Sequence, residues 1–133
     1  MIASVEWKQG RIFEGRSESG HAVIFDTTSE HAAGISPMEA VLVALCACTS
    51  VDVVSVLEKK REPLTGLTVS AKAEQQVDAP RVFTKIHVTY RVHGKVAKKA
   101  AEDAVALSEN KYCSVSLMLQ KTVEIKYSIE YDE

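Results

Sequence analysis

The sequence predicts an α+β fold, and three observations carry that reading. Short strand-like segments open the chain, one long apolar helix follows, and alternating strands and helices succeed it without a βαβ repeat.

Residues 2–8, about 10–16 and 21–26 mix Val, Ile, Phe and Trp with polar residues. Gly10, Gly15 and Gly20 break them into three strands. The character changes after Gly34. Ser36-Pro37-Met38-Glu39 reads as a helix start, with Ser36 as N-cap, Pro37 at the first helical position and Glu39 at the third, a capping box. The helix runs to about Lys60, because Pro63 and Gly66 stop it. From Ala40 to Cys48 it is apolar all round, so it is expected to be buried on most sides. A chain of 133 residues rarely encloses a helix so fully by itself, which points to a homodimer.

Two alternating segments come next. Leu67, Val69, Ala71 and Ala73 share one face, and Val82, Ile86, Val88, Tyr90 and Val92 share another; Asp78-Ala79-Pro80 joins the two as a hairpin. Residues 95–109 form an amphipathic pattern with Val96, Ala100, Ala104 and Leu107 on the buried side, and a second helix is expected from near Tyr112 to Leu119. A closing strand alternates Val123, Ile125, Tyr127, Ile129 and Tyr131 with polar residues.

No repeat or linker divides the chain, so residues 1–133 are expected to form one domain. A net charge of −2, with scattered Lys and Arg, gives no footprint for nucleic acid. The first residues lack the basic and apolar regions of a signal peptide, and the Ala40–Cys48 run is shorter than the roughly 20 residues that span a bilayer. A cytoplasmic protein with no membrane partner is the default. Three cysteines in such a reducing compartment suggest free thiols rather than a disulfide scaffold.

No phosphate-cradling, dinucleotide-binding, serine-hydrolase or zinc-protease motif is present, and no cofactor is implied. Cys46-Ala47-Cys48 does not read as a metal site, because helical residues two apart point about 200° from each other. His21, His31, His87 and His93 lack ligand spacing and read as solvated or core histidines. Cys113 lies near the start of a short helix beside Lys111. Both features lower a thiol pKa, although a buried structural cysteine is the commoner role. Cys48 has Asp52 one turn later on the same helix face, where a carboxylate raises a thiol pKa.

The run Ser36-Pro37-Met38-Glu39-Ala40-Val41-Leu42 with Ala47-Cys48, and the distant Lys111-Tyr112-Cys113-Ser114-Val115, resemble the OsmC-like family, and within it the YhfA-like branch. The family pattern is a Pro-led helix with a cysteine eleven residues beyond the proline and a second cysteine on a later helix; Cys48 and Cys113 match both. The resemblance implies antiparallel sheets packed around a long central helix in an intertwined homodimer, with two sites at the interface. It also implies a thiol-dependent peroxidase acting on organic hydroperoxides or hydrogen peroxide. Cys48 would attack the peroxide, Cys113 would resolve the sulfenic acid as a disulfide, and a dithiol would restore the pair.

The sequence departs from the peroxidases at two places. Met38 stands where they carry Glu directly after the proline, and Thr27 to Gly34 contains no Arg. Glu39, nine residues from Cys48, would point away from it and is accounted for by the capping box. Those departures keep a second reading open, in which the domain binds a small apolar or thiol-containing ligand at the interface without catalysis.

Overall fold

A computed structural model describes residues 1–132. The fold is α+β, and its contacts gather into two compact units, Met1–Leu42 and the chain from Val43 onward.

The first unit is an antiparallel sheet of β1 (Ala3–Gln9), β2 (Ile12–Ser17) and β3 (Ala22–Asp26), in that order. The three strands are the expected ones, but Gly15 does not break the chain: it lies buried inside β2, packed against Phe25 and Val23. Gly10 takes φ +52° in the β1–β2 turn, a conformation that a Cβ would strain, and Trp7 Nε1 donates to its carbonyl at 3.0 Å. At the end of β3 the Asp26 carboxylate organises the following loop. It accepts from Thr28 N at 2.9 Å, Thr28 Oγ1 at 2.7 Å and Ala33 N at 3.0 Å. The Thr28 hydroxyl and the two amides hold this carboxyl below its ordinary range. The capping box forms as expected: Ser36 N donates to Glu39 Oε1 at 2.8 Å, and Glu39 N donates to Ser36 Oγ at 3.1 Å.

Helix α1 (Pro37–Lys59) crosses from one unit to the other. By length and composition it could span a bilayer. In the second unit it behaves as a core helix. Leu45, Thr49, Val53 and Leu57 recur every fourth residue and are each fully buried, and Thr49 is hydrogen-bonded to two side chains of its own chain. Other positions of the helix are open: Val43 is 59% exposed and Val51 67%.

The second unit's sheet has the order β4 (Leu64–Gln75), β5 (Phe83–Gly94), β6 (Glu124–Asp132). Strands β4 and β5 form the expected antiparallel hairpin, with Ala71 opposite Val88. The β5 core face is Ile86, Val88, Tyr90 and Val92. Val82, expected on that face, lies before the strand and is exposed. A register shift beside Gln75 turns Phe83 inward instead. Gly94 closes the strand at φ +105°, where a Cβ would collide with the Pro63 carbonyl.

The expectation of purely antiparallel sheets needs one correction. Strand β6 runs parallel to β5, with Val88 beside Tyr127. The chain makes the crossover through helices, the connection a parallel pair requires. That crossover begins with α2 (Lys98–Leu107), which buries Ala100, Ala101, Ala104 and Val105. A five-residue π-helical turn follows (Ser108–Tyr112), then α3 (Ser114–Leu119). The amphipathic pattern runs on to 109 in sequence, but α2 stops at Leu107 because the wider turn takes over.

Candidate functional site

The π-helical turn delivers Cys113. One extra residue in the turn lets Cys113 N donate to Ser108 O at 2.9 Å, and the chain then leaves the helix with Cys113 extended at φ −74°, ψ 104°. Cys113 thereby becomes the N-cap of α3, its sulfur accepting from Ser116 N at 3.3 Å. A thiol sulfur takes the place of the usual hydroxyl or carboxylate cap. The second helix therefore starts two residues later than the pattern near Tyr112 suggested.

Cys48 lies on α1, half-buried, and its thiol neighbours fully buried Cys113 closely enough to act on the Cys113 thiol. The two cysteines named from the sequence are thus brought together within the second unit. Cys46, two residues away on the helix, does not join them, and burial raises its thiol.

The expectation that Lys111 and the helix start would lower the Cys113 thiol is reversed. Burial pushes this thiol well above its ordinary range, neighbouring Cys48 adds to the rise, and the charge of Asp52 raises it further; the Ser116 N–H opposes them and loses. Lys111 Nζ lies 5.6 Å from the centre of the Tyr112 ring and is not among the groups that act on the Cys113 thiol.

Behind the thiol pair lies a buried polar chain. From Asp52 it begins with Ser108, whose hydroxyl donates to Asp52 Oδ2 at 2.9 Å. Thr49 Oγ1 is 2.7 Å from Ser108 Oγ and 2.5 Å from Tyr90 OH, and Tyr90 OH is bonded to Glu109 Oε1. The other Glu109 oxygen accepts from Ser116 Oγ at 2.9 Å, which returns the chain to the residue whose amide binds Cys113. Gln120 Nε2 donates to Ser116 Oγ at 2.8 Å and to the Glu109 carbonyl at 2.7 Å. Glu109 is 2% exposed, and among the described residues neither it nor Asp52 makes a salt bridge. Burial, then the bond to Glu109, drives the Tyr90 hydroxyl far above its ordinary range.

Sequence reading named Asp52 but missed Thr49, Tyr90, Ser108, Glu109 and Ser116. The signal was faint: a Thr in an apolar helix stripe and a Tyr in the apolar alternation of β5, each of which reads as packing. Asp52 also opens onto a cleft of about 510 Å³, lined further by Val56, Lys59, Lys60 and Tyr112.

The histidines lie apart. His31 Nδ1 contacts the Asp26 carbonyl at 2.8 Å, His87 bonds Ser128 at 2.9 Å, and His93 is 3.4 Å from Asp132. Among the described residues no three metal-ligating side chains come together.

Comparison with known proteins gives one consistent answer. A family model described as OsmC-like protein matches residues 29–128. Protein YhfA of Escherichia coli strain K12 is 45% identical over 131 residues, covering 98% of this chain and 97% of that protein. Among solved structures, an OsmC-like protein from Mycoplasma pneumoniae superposes with a TM-score of 0.87 at 13% identity, over 99% of this chain and 96% of that one. The organic hydroperoxide resistance protein OhrB of Bacillus subtilis does so at 0.68 and 20% identity, over 98% of each. At those identities the two structures speak for the fold alone.

Proposed function

The chain belongs to the OsmC-like family, and from that premise we propose that it is a cysteine-based thiol peroxidase. The observation that carries this reading is the juxtaposition of Cys48 and Cys113, which come from two elements far apart in sequence. The name of the Bacillus subtilis relative, an organic hydroperoxide resistance protein, agrees with it.

Cys48 is the more accessible thiol and attacks the terminal peroxide oxygen. An S–O bond forms as the O–O bond breaks, the sulfur is oxidised by two electrons, and the substrate leaves as an alcohol that takes up the thiol proton. Cys113 then attacks the Cys48 sulfenic acid, which releases water and leaves a disulfide. Its burial and raised pKa suit it to the second role rather than the first, since Cys48 is the thiol that peroxide reaches. Cys113 gives up its proton as it attacks, and that proton leaves with the sulfenic oxygen as water. An external dithiol reduces the pair.

The active form in this reading is a homodimer. Val43 and Val51 on α1, and Val5 and Trp7 on β1, are exposed apolar side chains that a second copy would cover. A reducing, cytoplasmic compartment fits a protein that must begin each cycle with both thiols free.

The test is a peptide map after one equivalent of organic hydroperoxide. A Cys48–Cys113 disulfide is expected in the native protein, and a trapped sulfenic acid on Cys48 in a Cys113→Ser variant. Unmodified cysteines in both proteins would contradict the reading. A ligand-binding role is favoured by Met38, which stands where the peroxidases carry Glu, and by the loop Thr27–Gly34, which contains no Arg.

A further inference from the structure

Four contacts join two carboxyl groups through three hydroxyls: Asp52 to Ser108, Ser108 to Thr49, Thr49 to Tyr90, and Tyr90 to Glu109. Each lies within hydrogen-bond distance, and each needs one proton between its oxygens. Three hydroxyls supply only three protons. With both carboxylates ionised, Ser108 donates to Asp52 and Tyr90 donates to Glu109. Thr49, with one proton, then serves only one of its two neighbours. The contact left over, at 2.5 or 2.7 Å, would press lone pairs together among side chains that are each 0% exposed.

We propose that Asp52 and Glu109 hold one proton between them, so that Ser108, Thr49 and Tyr90 form a one-proton wire ending beside the thiol pair. The proton on Glu109 sets every bond in one direction, from Glu109 through Tyr90, Thr49 and Ser108 to an ionised Asp52. The proton on Asp52 sets them all in reverse. One hop along each bond moves the negative charge from one end to the other without any heavy atom moving.

The surroundings decide the resting direction. Glu109 faces the Tyr90 hydroxyl of β5 and the Ser116 hydroxyl of α3, with the Gln120 amide on Ser116 and on the Glu109 carbonyl, and no cation is among them. Asp52 faces the Ser108 hydroxyl and the Cys113 thiol, which feels its charge, and shares its cleft with Lys59, Lys60 and Tyr112. Glu109 is 2% exposed whereas Asp52 is only half-buried and opens onto the cleft, and this difference in burial places the negative charge on Asp52 and the proton on Glu109. Asp52 is then an ionised acceptor one helical turn beyond Cys48, and Glu109 governs it without touching either sulfur. Glu109 is a positioning residue in this sense.

The inference rests on the proton count and stands whether or not the protein turns over peroxide. Its test is the infrared spectrum of the reduced protein at neutral pH, with D2O exchange and no peroxide. A protonated carboxylic acid band is expected, and it should vanish in both Glu109→Gln and Asp52→Asn, since either amide donates the fourth proton to its neighbouring hydroxyl. Asp26, the other buried carboxyl among the described residues, accepts three hydrogen bonds and contributes no such band. Thr49→Val, nearly the same shape, leaves both carboxyl groups in place while cutting the wire. The band should vanish there too, because each carboxylate then has its own hydroxyl donor. No band in the native protein, or a band that survives in any of these variants that folds, would overturn the proposal.

Discussion

Tyr90 OH on β5 and Thr49 Oγ1 on α1 lie 2.5 Å apart, although 41 residues separate them in sequence. This contact joins helix α1 to the sheet through polar atoms, among fully buried Leu45, Val53, Val88 and Val92. A polar link in such surroundings is costly to leave half-made.

Tyr90→Phe should therefore destabilise the protein by about 1–3 kcal/mol while the fold persists, since it strips one partner from Thr49 and one from Glu109. Urea unfolding monitored by circular dichroism measures it. A variant as stable as the native protein would show that the network contributes nothing to the core.

Cys113 gives a pH prediction. Its folded-state pKa is raised, so the buried neutral thiol contributes stability that is intact below the free-thiol value of about 8.5. That contribution is lost as pH rises from there toward the folded-state value. The native protein should lose more stability across this alkaline window than a Cys113→Ala variant does, as read from denaturation midpoints at successive pH values. Parallel curves would contradict it.

Asp52→Asn removes a charge that raises the Cys113 thiol. The alkylation profile of Cys113 against pH, followed by mass spectrometry, should shift to lower pH in this variant. A shift to higher pH, or none, would mean that Asp52 does not act on the pair.

Acid stability should report the loop after β3. The folded-state pKa of Asp26 is depressed, so its stabilising effect is present above the unfolded value of about 3.9 and is lost as pH falls through the folded value. Asp26→Asn should flatten the acid limb of the stability profile at a cost at neutral pH. An unchanged acid limb would count against this role.

How much of this was legible in the sequence follows from the range of each interaction. The capping box of Ser36 and Glu39, the break at Gly10 and the β4–β5 hairpin are local, so spacing and residue type reveal them. The parallel seat of β6 is not, because alternation along a strand is the same whichever way its neighbour runs. The Cys48–Cys113 pairing was reached through family resemblance; the residues alone left Cys113 undecided and showed Cys48 only beside Asp52 on an apolar helix. The direction of the Cys113 shift was left open between a lowered thiol and a buried structural one for a physical reason. Sequence shows a helix start and a nearby Lys, but it does not show that the sulfur is wholly buried or that Lys111 turns to Tyr112. The hydroxyl chain joins α1, β5, the π-helical turn and α3, so no local pattern could reveal it.

The claim that matters most is that Cys48 and Cys113 work as one redox pair. Its most direct measurement is hydroperoxide consumption by the purified, reduced protein with excess dithiol, beside Cys48→Ser and Cys113→Ser. Turnover in the native protein that is lost in Cys48→Ser, and that falls in Cys113→Ser with sulfenic acid accumulating, is the predicted result. A folded, fully reduced protein that consumes no peroxide, or a Cys48→Ser variant as active as the native one, would contradict it.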